Sequence, residues 1–254
     1  MRELILKEFR WNWRSFRYPA LFLVLLFFAL LAPPSNKYMR EIIAMFAEGI
    51  DPSLLPEPSA VDSFIGYLGD ISGIGILVLI FILMGSVARE KENGVSGWIL
   101  SKPVSRWSYL NAKIMVHLVV VIMAVVLANT VGYLYTWSLL GQVPLAGAAW
   151  ATVSLLVFML LFAVVTFALS AVLKSPLQAG GVSVLVFFLS GILNMFVGEL
   201  QIGRFYPNTL LAELPKLVTG ASGPGEILPA ILFSILIGIA VYILTGIKFM
   251  RMEQ

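Results

Sequence analysis

The chain has 254 residues, of which 59% are hydrophobic and only 12% charged, with a formal net charge of +3 and a mean hydropathy of +0.94. This balance excludes a soluble domain and points to a polytopic membrane protein. It contains 0 cysteines, which excludes disulfides, thiolate metal sites and a cysteine nucleophile.

Crossing a bilayer core takes about 20 apolar residues as a helix, because in lipid every backbone amide must be bonded within its own segment. Apolar runs at about 18–32, 71–88, 114–140, 150–173, 177–198 and 227–247 predict one all-α integral membrane domain over 1–254 with six transmembrane helices. The first run is the shortest. Ahead of it, residues 1–17 place Ile5, Phe9, Trp13 and Phe16 on one helical face and Lys7, Arg10, Arg14 and Arg17 on another. That pattern predicts an amphipathic interfacial helix leading into a retained span, rather than a cleaved signal peptide.

Residues 33–70 read as a long outer connection. Pro33 and Pro34 open it, an amphipathic stretch follows around 38–47, and a proline- and acid-rich piece comes last. At the start of span two Gly66, Gly69 and Gly73 form a small-residue face.

The stretch 89–113 is the long charged segment between apolar runs. Within it Val95, Trp98 and Ile99 have the i, i+3, i+4 spacing of a helical face; Asn93-Gly94 breaks the chain before them and Ser101-Lys102-Pro103 after, with Ser105 placed to cap span three. This predicts a short amphipathic helix on rigid flanks, presenting a tryptophan. Such a helix either lies on lipid or fills a groove on a soluble partner, where an aromatic anchor within a charged rim is the usual construction.

In span three His117 reads as an interfacial residue, and Asn129 and Thr130 sit mid-span. Span five carries Gly180, Ser183, Ser190 and Asn194 on one face, read either as close helix packing or as one wall of a pathway at a subunit interface. Between spans five and six, Asn208 is placed to cap a short outer helix that Gly220 ends; its Leu210, Leu211, Leu214 and Leu217 predict a face lying on the outer leaflet.

Six spans put both termini on one side. That side holds 13 of the 17 Lys and Arg residues, so both termini are expected in the cytoplasm of a cell (plasma) membrane protein. Basic residues there favour anionic lipid headgroups, and no nucleic acid is needed to explain the charge. The six runs contain no Asp, Glu, Lys or Arg, the chain has a single histidine, and no phosphate-binding loop occurs. An ion-coupled carrier, a two-histidine zinc site and nucleotide hydrolysis by this chain are therefore all unsupported.

Ala88, Arg89, Glu90, Glu92, Gly94, Leu100, Ser101, Pro103, Val104, Ser105, Arg106 and Lys113 resemble the loop between spans two and three of type-2 ATP-binding-cassette (ABC) permeases, the exporter-like class that includes copper-enzyme maturation permeases. The resemblance extends over the chain, from a basic amphipathic first helix to a leucine-rich segment between spans five and six. It implies that 89–113 is a cytoplasmic coupling helix docking on a separate ABC ATPase, present in two copies, and that a second permease copy, identical or related, completes the pathway. By that implication Glu90, Glu92, Gly94, Val95, Trp98, Ile99, Leu100, Pro103 and Arg106 form the docking set. Of these Trp98, Ile99 and Leu100 make the contact, and Glu90, Glu92 and Arg106 brace the loop. Gly69, Gly73, Gly180, Ser183, Ser190 and Asn194 would line the pathway or dimer interface. No cofactor is expected on this chain, with ATP and Mg in the partner, and the chain itself is not an enzyme. The family usually reads Thr, Leu, Glu after the glycine where this chain has Val95, Ser96 and Gly97. That difference costs about 1 kcal/mol of helix propensity. A membrane scaffold or a secondary carrier not coupled to ATP is the alternative; an intramembrane hydrolase lacks a base and a metal ligand set.

Overall fold

The computed structural model describes residues 2–46, 57–101, 105–198 and 200–251. Among them every regular element is helical, and six helices are long and apolar enough to cross a membrane. The first helix, α1 (Arg2–Arg14), buries Glu8 and Asn12 and leaves Phe9, Trp11 and Trp13 exposed. Its protein-facing side is thus polar and its aromatic side outward, as suits a helix at headgroup depth. The chain turns at Phe16, whose φ of 64° is left-handed, into α2 (Arg17–Lys37).

Where the sequence predicts span one to stop at 32, α2 continues through Pro33 and Pro34. Proline loses its donor but keeps its acceptor, and the Pro34 carbonyl takes the Tyr38 N–H at 2.9 Å, closing the last turn. After α3 (Met39–Phe46), the second span begins at Ala60 rather than 71. Ser59 caps α4 (Ala60–Asp70) by accepting the Asp62 N–H at 3.3 Å. A π turn over Ile71–Gly75 then joins α4 to α5 (Ile76–Leu83).

Two short helices, α6 (Ala88–Glu92) and α7 (Val95–Leu100), lead to the long α8 (Arg106–Leu140), whose first turn is capped by Ser105 accepting the Ser108 N–H at 3.0 Å. A tight connection follows to α9 (Leu145–Val172), then α10 (Pro176–Val197), a 3-10 turn over Gln201–Phe205, α11 (Thr209–Ala212), α12 (Leu214–Thr219) and α13 (Pro224–Arg251). The centre of the bundle is α9, 61% buried along its apolar window, against 11% for α10 and 17% for α13. Phe64, Tyr67 and Ile71 of the second span meet Leu21 and Leu25 of α2 and Phe158 of α9 in the main core.

Two sequence expectations are corrected here. The leucine-rich outer segment does not face lipid: Leu210, Leu214 and Leu217 are buried, and the Ser154 hydroxyl of α9 donates to the Leu210 carbonyl at 2.7 Å. Gly147 makes this seating possible, since the Leu217 and Val218 carbonyls occupy the space a Cβ would need. His117 is likewise inside the bundle, not at its surface, with its Nδ1 2.7 Å from the Tyr18 hydroxyl.

Candidate functional site

Residues 88–101 and 105–106 stand at the end of the bundle that carries α1 and the close of α13, and their root is clamped to α9 and α13. The Ser170 hydroxyl of α9 accepts the N–H groups of Val87 and Ala88, both at 3.0 Å. Lys91 donates to the carbonyls of Ala171 (2.8 Å) and Leu173 (2.5 Å), covering the otherwise orphaned carbonyls at the end of α9. Arg106 does the same for α13, donating to Phe249 at 3.2 Å and Met250 at 2.8 Å.

A charged network ties this root to α1. Glu90 accepts the Tyr109 hydroxyl at 2.6 Å and lies 3.1 Å from Lys113 and 3.3 Å from Lys7. Lys113 also pairs with Glu8 at 2.8 Å and donates to the Ser86 carbonyl at 3.0 Å. Asn12 donates to Glu8 at 2.8 Å and accepts from Arg17 at 3.2 Å. The Glu8 and Lys113 side chains are each 4% exposed, so the pair is fully desolvated and each charge depends on the other. Burial pushes the Glu8 carboxyl up, yet the Lys113 ammonium and the hydrogen bonds from Lys113 and Asn12 outweigh it and hold the group below its ordinary value.

Upon this base α7 starts at Gly94, whose φ of 70° is left-handed and suits glycine. Trp98 is 65% exposed and Val95 39%, while Ser96 and Ile99 turn inward. Ile99 joins Val87, Tyr109, Leu110 and Phe249 in a small core, with Tyr109 and Phe249 stacked at 6.0 Å. The expected face of Val95, Trp98 and Ile99 is thereby divided: two residues look outward and Ile99 anchors the helix from below. Glu90 is in the network, Glu92 is exposed, Leu100 ends α7, and Pro103 lies outside the described residues.

Sequence reasoning missed Glu8, Lys91, Tyr109 and Ser170, and named Lys113 only among the residues of the resemblance, without a role. One signal was available, since Arg106, Tyr109 and Lys113 share a face at i, i+3 and i+7. The partners across the network come from distant parts of the chain and leave no local mark.

The small-residue set does not converge on one wall. Gly180 closes against the second span, where the Met84 sulfur stands 2.5 Å from where its Cβ would be, and Ser183 is buried with its hydroxyl bonded back to Ala179 at 2.7 Å. Ser190 belongs to the opposite end, its carbonyl accepting the Tyr206 hydroxyl at 2.9 Å, and Asn194 is half-buried beyond it. Gly69 and Gly73 face open space, with no atom within 4 Å of an added Cβ. Among the described residues no group of three His, Asp or Glu side chains is gathered as metal ligands are.

Residues 35–247 match the family described as ABC-2 family transporter protein. The chain is also similar to an uncharacterized transmembrane protein, YxlG, of Bacillus subtilis (strain 168), at 30% identity over 138 residues that make up 53% of each chain. It thus spans about half the length of that curated relative.

Proposed function

This chain belongs to the ABC-2 family of transporter proteins, and from that membership we propose that it is the permease subunit of an ABC exporter, driven by a separate ATPase that docks on α7. The observation that carries the reading is the contrast within one loop: a tryptophan 65% exposed stands on a root bonded to α1, α8, α9 and α13. A force applied at Trp98 has no slack to take up before it reaches four helices. In this reading ATP and Mg are bound by two ATPase copies, and their closure drives paired α7 helices together and rotates the spans above them. A second permease copy faces this one across Gly69 and Gly73. Both termini are cytoplasmic, in keeping with the distribution of Lys and Arg, and cargo moves outward.

The cysteine-free sequence makes the test direct. A single cysteine introduced as Trp98→Cys is to be crosslinked in native membranes and the product identified by mass spectrometry. An adduct with an ABC ATPase is expected; a helix that yields only uncrosslinked chain lies on lipid, and the docking assignment fails. As a companion, Val95→Asp with Trp98→Asp should abolish association with the ATPase while leaving insertion intact. Ile99 is left unchanged because it is buried.

A further inference from the structure

Where α1 meets the start of α2 and the turn between α5 and α6, the bundle leaves a cavity of about 190 Å3, bordered by Trp11 and lined by Lys7, Arg17 and Arg89. Its wall also carries Glu8, Glu90 and Lys113, so four cations face two carboxylates. Both carboxylates are already taken: Glu8 by Lys113 at 2.8 Å, and Glu90 by Lys113 at 3.1 Å and Lys7 at 3.3 Å. The excess positive charge therefore falls on the two arginines. Among the described residues no carboxylate lies within ion-pair distance of either.

The two guanidiniums are nevertheless held near one another. Arg17 donates to the neutral Asn12 oxygen at 3.2 Å, and Arg89 is folded back over Gly85, its Nε 3.4 Å from where a Cβ would stand. Of the charges that act on Arg17, that of Arg89 is the strongest, and it repels. A guanidinium presents five N–H donors in a fixed fork, so the pair offers far more donors than Asn12 can take. A carboxylate has two oxygens in one plane, enough for one fork. A phosphate spreads three or more oxygens about a tetrahedral centre, so one arginine from α2 and one from α6 can each grip it from its own side while its charge cancels their repulsion. Depth points the same way. Arg17 opens the first span, and the exposed Phe9, Trp11 and Trp13 set α1 at headgroup level, where lipid phosphates lie.

We infer that this cavity binds a phosphate ester of net negative charge, carried by an anionic phospholipid of the leaflet in which α1 lies or by a soluble phosphomonoester on the same side. The bound phosphate neutralises Arg17 and Arg89 together and so ties α1 and α2 to α6. The site is complete within one chain.

The test uses the full chain purified in an uncharged detergent and titrated, with native mass spectrometry as the readout, against dioctanoylphosphatidic acid and dioctanoylphosphatidylcholine. Retention of one phosphatidic acid per chain is expected, about tenfold tighter than the choline lipid of the same tails. Arg17→Gln and Arg89→Gln should each bring the two lipids level. Arg89 is exposed, so its variant carries the test should Arg17→Gln fail to fold. Lys174→Gln removes a positive charge from the same end of the bundle but outside the cavity, and should leave the preference unchanged. Glycerol 3-phosphate separates the two sources: displacement of the lipid by it shows that free phosphate is bound as well, and lipid that stays in place assigns the site to the bilayer. Equal retention of both lipids by the native chain overturns the inference, as does an undiminished preference in Arg89→Gln. Equal losses in Lys174→Gln and Arg89→Gln overturn it too, since they would reveal only the general attraction of a basic surface for acidic lipid. No ATPase enters the measurement, so failure here leaves the docking reading where it stands.

Discussion

Lys113 serves two carboxylates at once, and its removal should be felt at both. Loss of one member of a buried pair costs about 3–5 kcal/mol, mostly because the survivor stays charged and desolvated. Lys113→Met should therefore lower thermal stability in detergent sharply, whereas Lys113→Met combined with Glu8→Met should recover most of the loss. Acid separates this account from simple misfolding. In the native chain the Glu8 carboxyl is held below its ordinary 4.5, so its contribution is fully present above that value and is lost as the pH falls through the depressed one. In Lys113→Met burial is opposed by little beyond the Asn12 hydrogen bond and raises the carboxyl, so acidification protonates a destabilising charge and the variant should gain on the native chain as pH falls. Melting curves that decline in parallel from neutral to acid pH would show that the two groups are not energetically paired.

For the elements, length and apolarity explain why the six spans are legible in the sequence, although the second begins ahead of its apolar run. A membrane helix must bond its own backbone, so a run of apolar residues declares it. The loop breaks are equally local, with Gly94 in a left-handed conformation and Ser105 capping α8. Asp62 and Asp70, by contrast, read as loop residues, and only their place at the edge of a packed helix reconciles them with α4. The π turn has no composition to announce it. From Phe64, Tyr67 and Ile71, a period of about 3.6 would next bury positions 74 and 78. The structure instead buries Gly75, Ile76, Leu79 and Ile80 and leaves Ile74 49% exposed. The turn holds one residue more than an α turn, and that residue keeps both flanks seated on the same neighbours. Deleting Ser72 should then restore a plain α-helix with its packing intact, while deleting Val78 swings everything on one side of the deletion by about 100°. Size-exclusion profiles after purification would tell the two apart, and equal damage from both would refute this role for the turn.

Across the whole molecule the exposed apolar surface lies mainly on α10 and α13, and the open small-residue face lies on the second span. Lipid tails are as apolar as leucine, so greasy faces alone do not hold two chains together in a bilayer; close approach at small residues does. Gly69→Leu with Gly73→Leu should leave the single chain as stable as before, because nothing stands within 4 Å of either added Cβ. It should nevertheless abolish crosslinking between two copies through cysteines placed beside that face, and undiminished crosslinking would move the pairing surface elsewhere. The close of α13 also bears on the order in which the bundle assembles. Trp107 lies over Gly246, Tyr242 hydrogen-bonds to Asn111, and Arg106 is held by the Phe249 and Met250 carbonyls. Helix α13 thus seats the start of α8 and, through Phe249, the core beneath Ile99. A chain whose α13 has not yet docked therefore offers no finished surface at α7.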